Sequence, residues 1–231
     1  MEATHRPVDR RARAAVVASG AALFARYAYP PGDVGYTVAD HARELRDYAP
    51  RGLSAQAMGQ QLRAYVAALP SLTRIAQALG VDDPLDAAAV EAYWVGSAVI
   101  EDIAALHHNA SVFTAAPWVP MLTGQDADRA LHVLDQCRVR WGRVIAVTAQ
   151  DAQVRSRPLI LDRGALALGQ PRTESVRIKP EGGGSATRVQ RGDWCAMHWN
   201  WLGDRLTTRH LVQLRRVTRW QMDEANARLG A

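Results

Sequence analysis

The sequence predicts an α+β protein: an all-helical N-terminal region, then a small β-barrel, then a C-terminal helix. Three observations carry this. Apolar residues recur at helical spacing through the first part of the chain. After Cys137 that spacing gives way to short β-branched and aromatic runs separated by turn residues. From Thr207 onward a helical apolar stripe returns.

The first helix is expected over Ala14–Ala28. The chain up to this point is basic and then apolar, but acidic and arginine side chains interleave. It reads as an amphipathic helix and not as a secretory leader. Pro30-Pro31-Gly32-Asp33 then breaks the chain. Helical spacing resumes in Leu53–Leu69, Leu72–Leu79 and Leu85–Ala98. Gly80 is placed to end one of these helices, and Asp83-Pro84 to start the next, with Asp at the cap and Pro at the first helical position. Thr123-Gly124-Gln125-Asp126 leads into a last helix over Ala127–Gln136.

Strands are expected over Val139–Val147, Gln153–Arg157, Leu166–Leu168, Ser175–Ile178 and Trp194–Trp201. Ala149-Gln150-Asp151, Asp162-Arg163-Gly164 and the glycine run at 182–184 punctuate them. Short strands at this spacing build a small barrel or sandwich. The closing helix, Thr207–Leu229, has Thr207 or Thr208 for a cap and Leu211, Leu214, Val217 and Met222 for its apolar stripe. The expected division is therefore a helical domain, 1–136, and a barrel domain with its helix, 137–231.

Hydrophobic residues make up 48% of the chain, enough for a core. No apolar run reaches the roughly 18 residues of a membrane span, so no membrane role is expected. Two cysteines, Cys137 and Cys195, are too few for a disulfide scaffold; reduced thiols and a cytoplasmic setting follow as expectations. Charge divides unevenly. Residues 137–231 carry a net +9 and residues 1–136 a net −4, which together make the chain's +5. A basic half suits nucleic acid, an acidic protein partner, or simply the acidic half of the same chain.

Two motifs hold the chemistry. The first runs Cys137-Arg138-Val139-Arg140-Trp141-Gly142-Arg143-Val144. The second runs Gly192-Asp193-Trp194-Cys195-Ala196-Met197-His198-Trp199-Asn200-Trp201 and is followed by Asp204-Arg205-Leu206. A thiolate and an imidazole are soft-to-borderline ligands that suit iron. Only two protein ligands leave coordination positions open, as a transfer site needs and a closed structural zinc site does not. On the residues alone a second reading stays open: Cys137 as a small thiol packed at a helix–strand junction, and His198 as a satisfied core histidine. Cys195 reads as packing, and Trp199 and Trp201 as two residues on one strand face.

The joint pattern of these motifs resembles the HypC/HupF family of hydrogenase-maturation chaperones over about two-fifths of the chain. In that family a cysteine is followed by Gly, a basic residue and Val, and later by Gly-Asp-aromatic, a histidine, an aromatic residue, and an acidic-basic-Leu step into a helix. The resemblance implies an OB-like barrel. It also implies that Cys137 and His198 carry an iron centre transiently, with a metalloenzyme subunit or a maturation factor as partner. This sequence departs from the family pattern at several points. Cys137 is internal where the family's cysteine opens the chain, Trp141 replaces Pro, Arg138 and Arg140 replace apolar residues, and Asn200 stands where Gly is usual.

Cys137 and His198 are therefore expected within about 8 Å of each other, with the thiol reachable from a groove. The helical half has further candidates: the aromatic turn Tyr27–Tyr36, Glu91 with Trp94, and His107-His108-Asn109. Adjacent histidines on a helix do not share one site, so these read as a packed turn or a partner surface. Two other functions compete with the metal reading. A nucleic-acid-binding barrel is disfavoured because the basic residues scatter and no RNA-binding motif occurs. A thiol enzyme with Cys137 as nucleophile and His198 as base lacks an evident third orienting residue.

Overall fold

The computed structural model describes residues 20–28, 68–100, 102–115, 118–178 and 188–230. The expected helix over most of Leu53–Leu69, the aromatic turn beyond Ala28 and the glycine run at 182–184 lie outside the described residues.

Helix α1, residues 20–28, buries Phe24 and Tyr27. Helix α2, Leu69–Leu79, ends as expected at Gly80, whose left-handed φ of 68° lets its N–H reach the carbonyls of Ala76 and Gln77. Helix α3, Ala87–Trp94, starts later than the sequence suggests. Asp83 and Pro84 form a turn in which the Asp83 carboxylate accepts the Leu85 N–H, and Asp86 caps the helix by accepting the Ala88 N–H. Two short helices follow, α4 (Ile103–Leu106) and α5 (His108–Ala110), then a π-turn over Ser111–Ala115. Helices α6 (Trp118–Met121) and α7 (Ala127–Cys137) complete this half.

The strands are β1 (Arg140–Val147), β2 (Asp151–Ser156), β3 (Leu159–Asp162), β4 (Ala165–Leu168), β5 (Arg172–Arg177), β6 (Trp194–His198) and β7 (Trp201–Leu206). A closed barrel runs β1-β2-β5-β7-β6, while β3 and β4 form a separate hairpin. The expected five-stranded barrel with a C-terminal helix is therefore present, but its strands are partly different. Trp194–Trp201 is not one strand. The chain turns at Trp199 and Asn200, with Trp199 at a φ of 55°, so Trp199 and Trp201 do not share a strand face. A bulky residue takes this conformation only when its surroundings impose it. Here the Trp199 N–H donates to the Gln136 carbonyl at 2.8 Å, and the Trp199 carbonyl accepts from Arg140 at 2.5 Å. Cys137 likewise does not open a strand. It is the last residue of α7, and β1 begins at Arg140.

Helix α8, Thr208–Leu229, is capped by Thr207 in a reciprocal capping box with His210. Leu211, Leu214 and Val217 face inward, as the stripe predicts. They join one apolar cluster that includes α1–α4 together with Val139, Ala196, Trp201 and Leu206. Gly203 of β7 meets Tyr27 of α1 so closely that a Cβ there would lie 2.4 Å from the ring. A second cluster fills the barrel with Val144, Val154, Val176, Cys195, Met197 and Leu202. Cys195 thus packs, as expected.

The junction between α7 and β1 is polar and dry. Arg138 and Arg140 are each 1% exposed. The Asp135 carboxylate accepts from Arg138 at 2.9 Å and from the Leu159 N–H at 2.8 Å, so it ties α7 to the hairpin. Burial pulls the Arg138 guanidinium below its ordinary pKa, and the adjacent Asp135 carboxylate offsets part of that. Replacing Asp135 by Ala strands a desolvated guanidinium and should cost about 3–5 kcal/mol of stability. Urea unfolding of Asp135→Ala and Asp135→Asn measures it. The Asn variant, which keeps an acceptor, is expected to lose less, and equal stability of Asp135→Ala and the wild type would reject the assignment.

Candidate metal centre

Cys137 stands at the end of α7, His198 at the end of β6, and His108 at the start of α5. One ring nitrogen from each histidine and the Cys137 sulfur all lie within 4.8 Å of one another. The two residues singled out in the sequence are thus brought together, and His108 joins them. Its neighbour His107 does not. His107 caps α5, its Nδ1 accepting the Asn109 N–H at 3.0 Å, and its ring stays buried elsewhere. Of the adjacent pair only His108 lies in the cluster, since His107 caps α5 through its Nδ1 and His108 is the first residue of that helix.

Asn109 explains why α5 sits where it does. Its side-chain carbonyl accepts the Val139 N–H at 2.7 Å, and its amide donates to the Val139 carbonyl at 3.3 Å and towards Thr218 at 3.4 Å. One buried amide thereby fastens the helical half to the chain two residues beyond Cys137 and to α8.

The hydrogen bonds assign the histidine tautomers. A backbone carbonyl can only accept, so the ring nitrogen facing one must carry the proton. His198 Nδ1 donates to the Tyr27 carbonyl at 2.5 Å, which leaves Nε2 as the unprotonated nitrogen, buried beside the Cys137 backbone. His108 Nε2 donates to the Cys137 carbonyl at 3.1 Å, which leaves Nδ1 with its lone pair. Metal-binding histidines have this support, one N–H held by a carbonyl and the opposite nitrogen free.

The surroundings are aromatic. The His108 and His198 rings meet edge to face with centroids 5.0 Å apart. Trp94 covers both, at 4.4 Å from His108 and 5.6 Å from His198, and Tyr27 stacks on Trp94 at 5.1 Å. The aromatic residues noted at Tyr27 and Trp94 therefore wall the cluster. Burial is the main cause that holds the histidines neutral: His108 falls to about 4 and His198 well below its ordinary range, the second also because His108 lies beside it. Burial pushes the Cys137 thiol up to about 12, with the Trp199 side chain opposing. The thiol is half-buried and lacks the activation expected of a reachable cysteine. Both shifts oppose a thiolate–imidazolium pair.

The donor set fits a borderline metal such as iron or zinc. With metal–ligand distances of about 2.0–2.3 Å, neighbouring ligand atoms sit about 3.5 Å apart, so the outermost pair would close by about an ångström. Among the described residues this is the cluster of histidine, cysteine and carboxylate groups that meets such a spacing.

The same histidines set an acid limit. In the folded protein His107 titrates at about 3 and His108 at about 4, against 6.5 when exposed. As pH falls through 6.5 the unfolded chain takes up protons that the folded chain refuses. Stability is therefore full above about 6.5 and declines below it, at up to about 1.4 kcal/mol per pH unit for each histidine. Urea midpoints between pH 7.5 and pH 4.5 check this; a midpoint that holds or rises towards the acid end would refute it.

A family model, DUF6390, described as a family of unknown function, matches residues 16–105 and 98–231. No curated protein and no solved structure matches the chain. The two matched stretches take in α1, α5, α7 and β6, hence every residue of the cluster. The chain belongs to the DUF6390 family, whose function is unknown.

Proposed function

We propose that this protein is an accessory or maturation factor for a metalloenzyme, a metallochaperone that holds an iron centre as cargo through Cys137, His198 and His108. One observation carries the reading. Three donors converge within 4.8 Å, and each imidazole is held in place by a hydrogen bond to a backbone carbonyl. The resemblance of the Cys137 and His198 motifs to the HypC/HupF pattern supports the same function, with a metalloenzyme subunit or a maturation factor as client.

The chemistry suits carriage over permanent storage. Three protein ligands leave a position through which a client's ligand can enter. Neutral imidazoles bind without proton competition, whereas the Cys137 thiol must give up its proton to the medium as the metal arrives. Return of that proton favours release. In the resembling family the cysteine opens the chain; here the preceding helical half supplies a third ligand from α5 and a dry wall from Trp94.

Titrating the purified full chain with Co²⁺ as an iron substitute should give one equivalent bound and a sulfur-to-metal charge-transfer band. Cys137→Ser should remove the band. His108→Gln and His198→Gln should weaken binding by more than the roughly 10–100-fold typical of losing an outer-shell partner. Binding that survives Cys137→Ser with its spectrum unchanged would reject the site.

The client is tested separately. Affinity capture from the native host should recover a metalloenzyme subunit or a maturation factor with the wild type and not with Cys137→Ser. Recovery of nucleic acid alone, lost steeply with added salt, would favour a nucleic-acid-binding barrel instead.

A further inference from the structure

We propose that a second site, on the outside of the barrel, binds a nucleoside polyphosphate. A cavity of about 650 Å³ lies between the outer faces of β1, β2 and β6, the β3–β4 hairpin and α8. Its volume falls in the usual range for small-molecule sites, about 300–1,000 Å³. Five arginines line it, Arg143, Arg155, Arg157, Arg215 and Arg219, against the single carboxylate of Asp223, a net of +4.

The arginines are arranged in a way that costs stability in the absence of an anion. Arg143 stands directly opposite Arg155 in the β1–β2 register. Like charges in that relation repel. Arg215 and Arg219 follow each other one turn apart on α8, which repels again. Among the described residues, none of these four has a carboxylate partner. A polyanion seated between the sheet pair and the helix pair relieves both repulsions at once.

Two indoles hold the cations in place. The Arg215 guanidinium lies over Trp141 at 5.7 Å and over Trp194 at 5.3 Å. Arg143 lies over Trp194 at 5.5 Å, from the position directly opposite it in the β1–β6 register. Stacking fixes each planar fork before a ligand arrives and reduces the entropy lost on binding. Guanidinium forks match phosphate oxygens in pairs. The lining also includes the apolar side chains of Leu166, Leu168 and Met222. A phosphate chain at the arginines and a planar base against the apolar residues satisfy both parts. A bare polyphosphate would leave the apolar residues uncovered.

Calorimetric titration of the full-length protein with ATP, without added metal, should show one saturable site and quenched tryptophan fluorescence. Arg155 and Arg219 are exposed, so Arg155→Ala and Arg219→Ala should fold normally and weaken ATP by about tenfold or more each. Adenosine should bind far more weakly, and Cys137→Ser should bind ATP like the wild type, which separates this site from the metal cluster. No binding at millimolar ATP would overturn the proposal. So would equal affinity for inorganic triphosphate, or binding of a thymidine oligonucleotide with none of ATP.

Discussion

Arg140 places a guanidinium in a region that water does not reach, and its N–H groups must then be satisfied by the protein. Its two terminal nitrogens donate to Glu174 on β5, Gln136 on α7 and the Trp199 carbonyl just after β6, at 2.5, 2.9 and 2.5 Å, while its Nε–H is buried without a hydrogen-bond partner among the described residues. Three elements distant in sequence are drawn to one point. The Trp199 N–H closes the same knot by donating to the Gln136 carbonyl. Cys137 follows Gln136, and His198 precedes Trp199. The juxtaposition of thiol and imidazole is thus a consequence of satisfying one buried cation, and the left-handed turn at Trp199 is held by the same bonds.

Around this knot the remaining contacts act on orientation. Asn109 binds both backbone groups of Val139 and so delivers His108. The Tyr27 carbonyl accepts a hydrogen bond from the Nδ1–H of His198. Both supports come from the helical half, which is more than a neighbour of the barrel, since it provides one donor of the cluster and sets the tautomer of another. The low-dielectric wall of Trp94 and Tyr27 then works in opposite senses on the donors. It keeps the imidazoles neutral, and it keeps the thiol protonated.

The basic character of the second half of the chain divides into two uses. Arg138 and Arg140 are interior braces whose charges are met by Asp135 and Glu174. Arg143, Arg155, Arg215 and Arg219 face outward around a cavity. A count of charges along the chain does not separate these groups, because alternation along β1 sends Arg140 inward and Arg143 outward only three residues later.

Much of the architecture follows from local signals. Helical spacing, the glycine at position 80, the Thr207 cap and the change of period after Cys137 act within a few residues, so the chain itself determined α2, α7, the barrel class and the last helix. It also singled out Cys137 and His198 by their two distinctive motifs, and the fold brings these two side chains together. What it did not determine is anything set by long-range hydrogen bonds. The run of aromatic residues at Trp194–Trp201 has a strand's composition, yet it turns at Trp199 because Arg140 and Gln136 hold that peptide. Leu159–Asp162 becomes a strand because Asp135 and Asn226 anchor its hairpin from two helices. His108 becomes part of the cluster only because Asn109 pairs with Val139, thirty residues away. Local preference determined the elements; the third member of the cluster, its tautomers and its dryness were decided by which buried polar groups had to find partners across the fold.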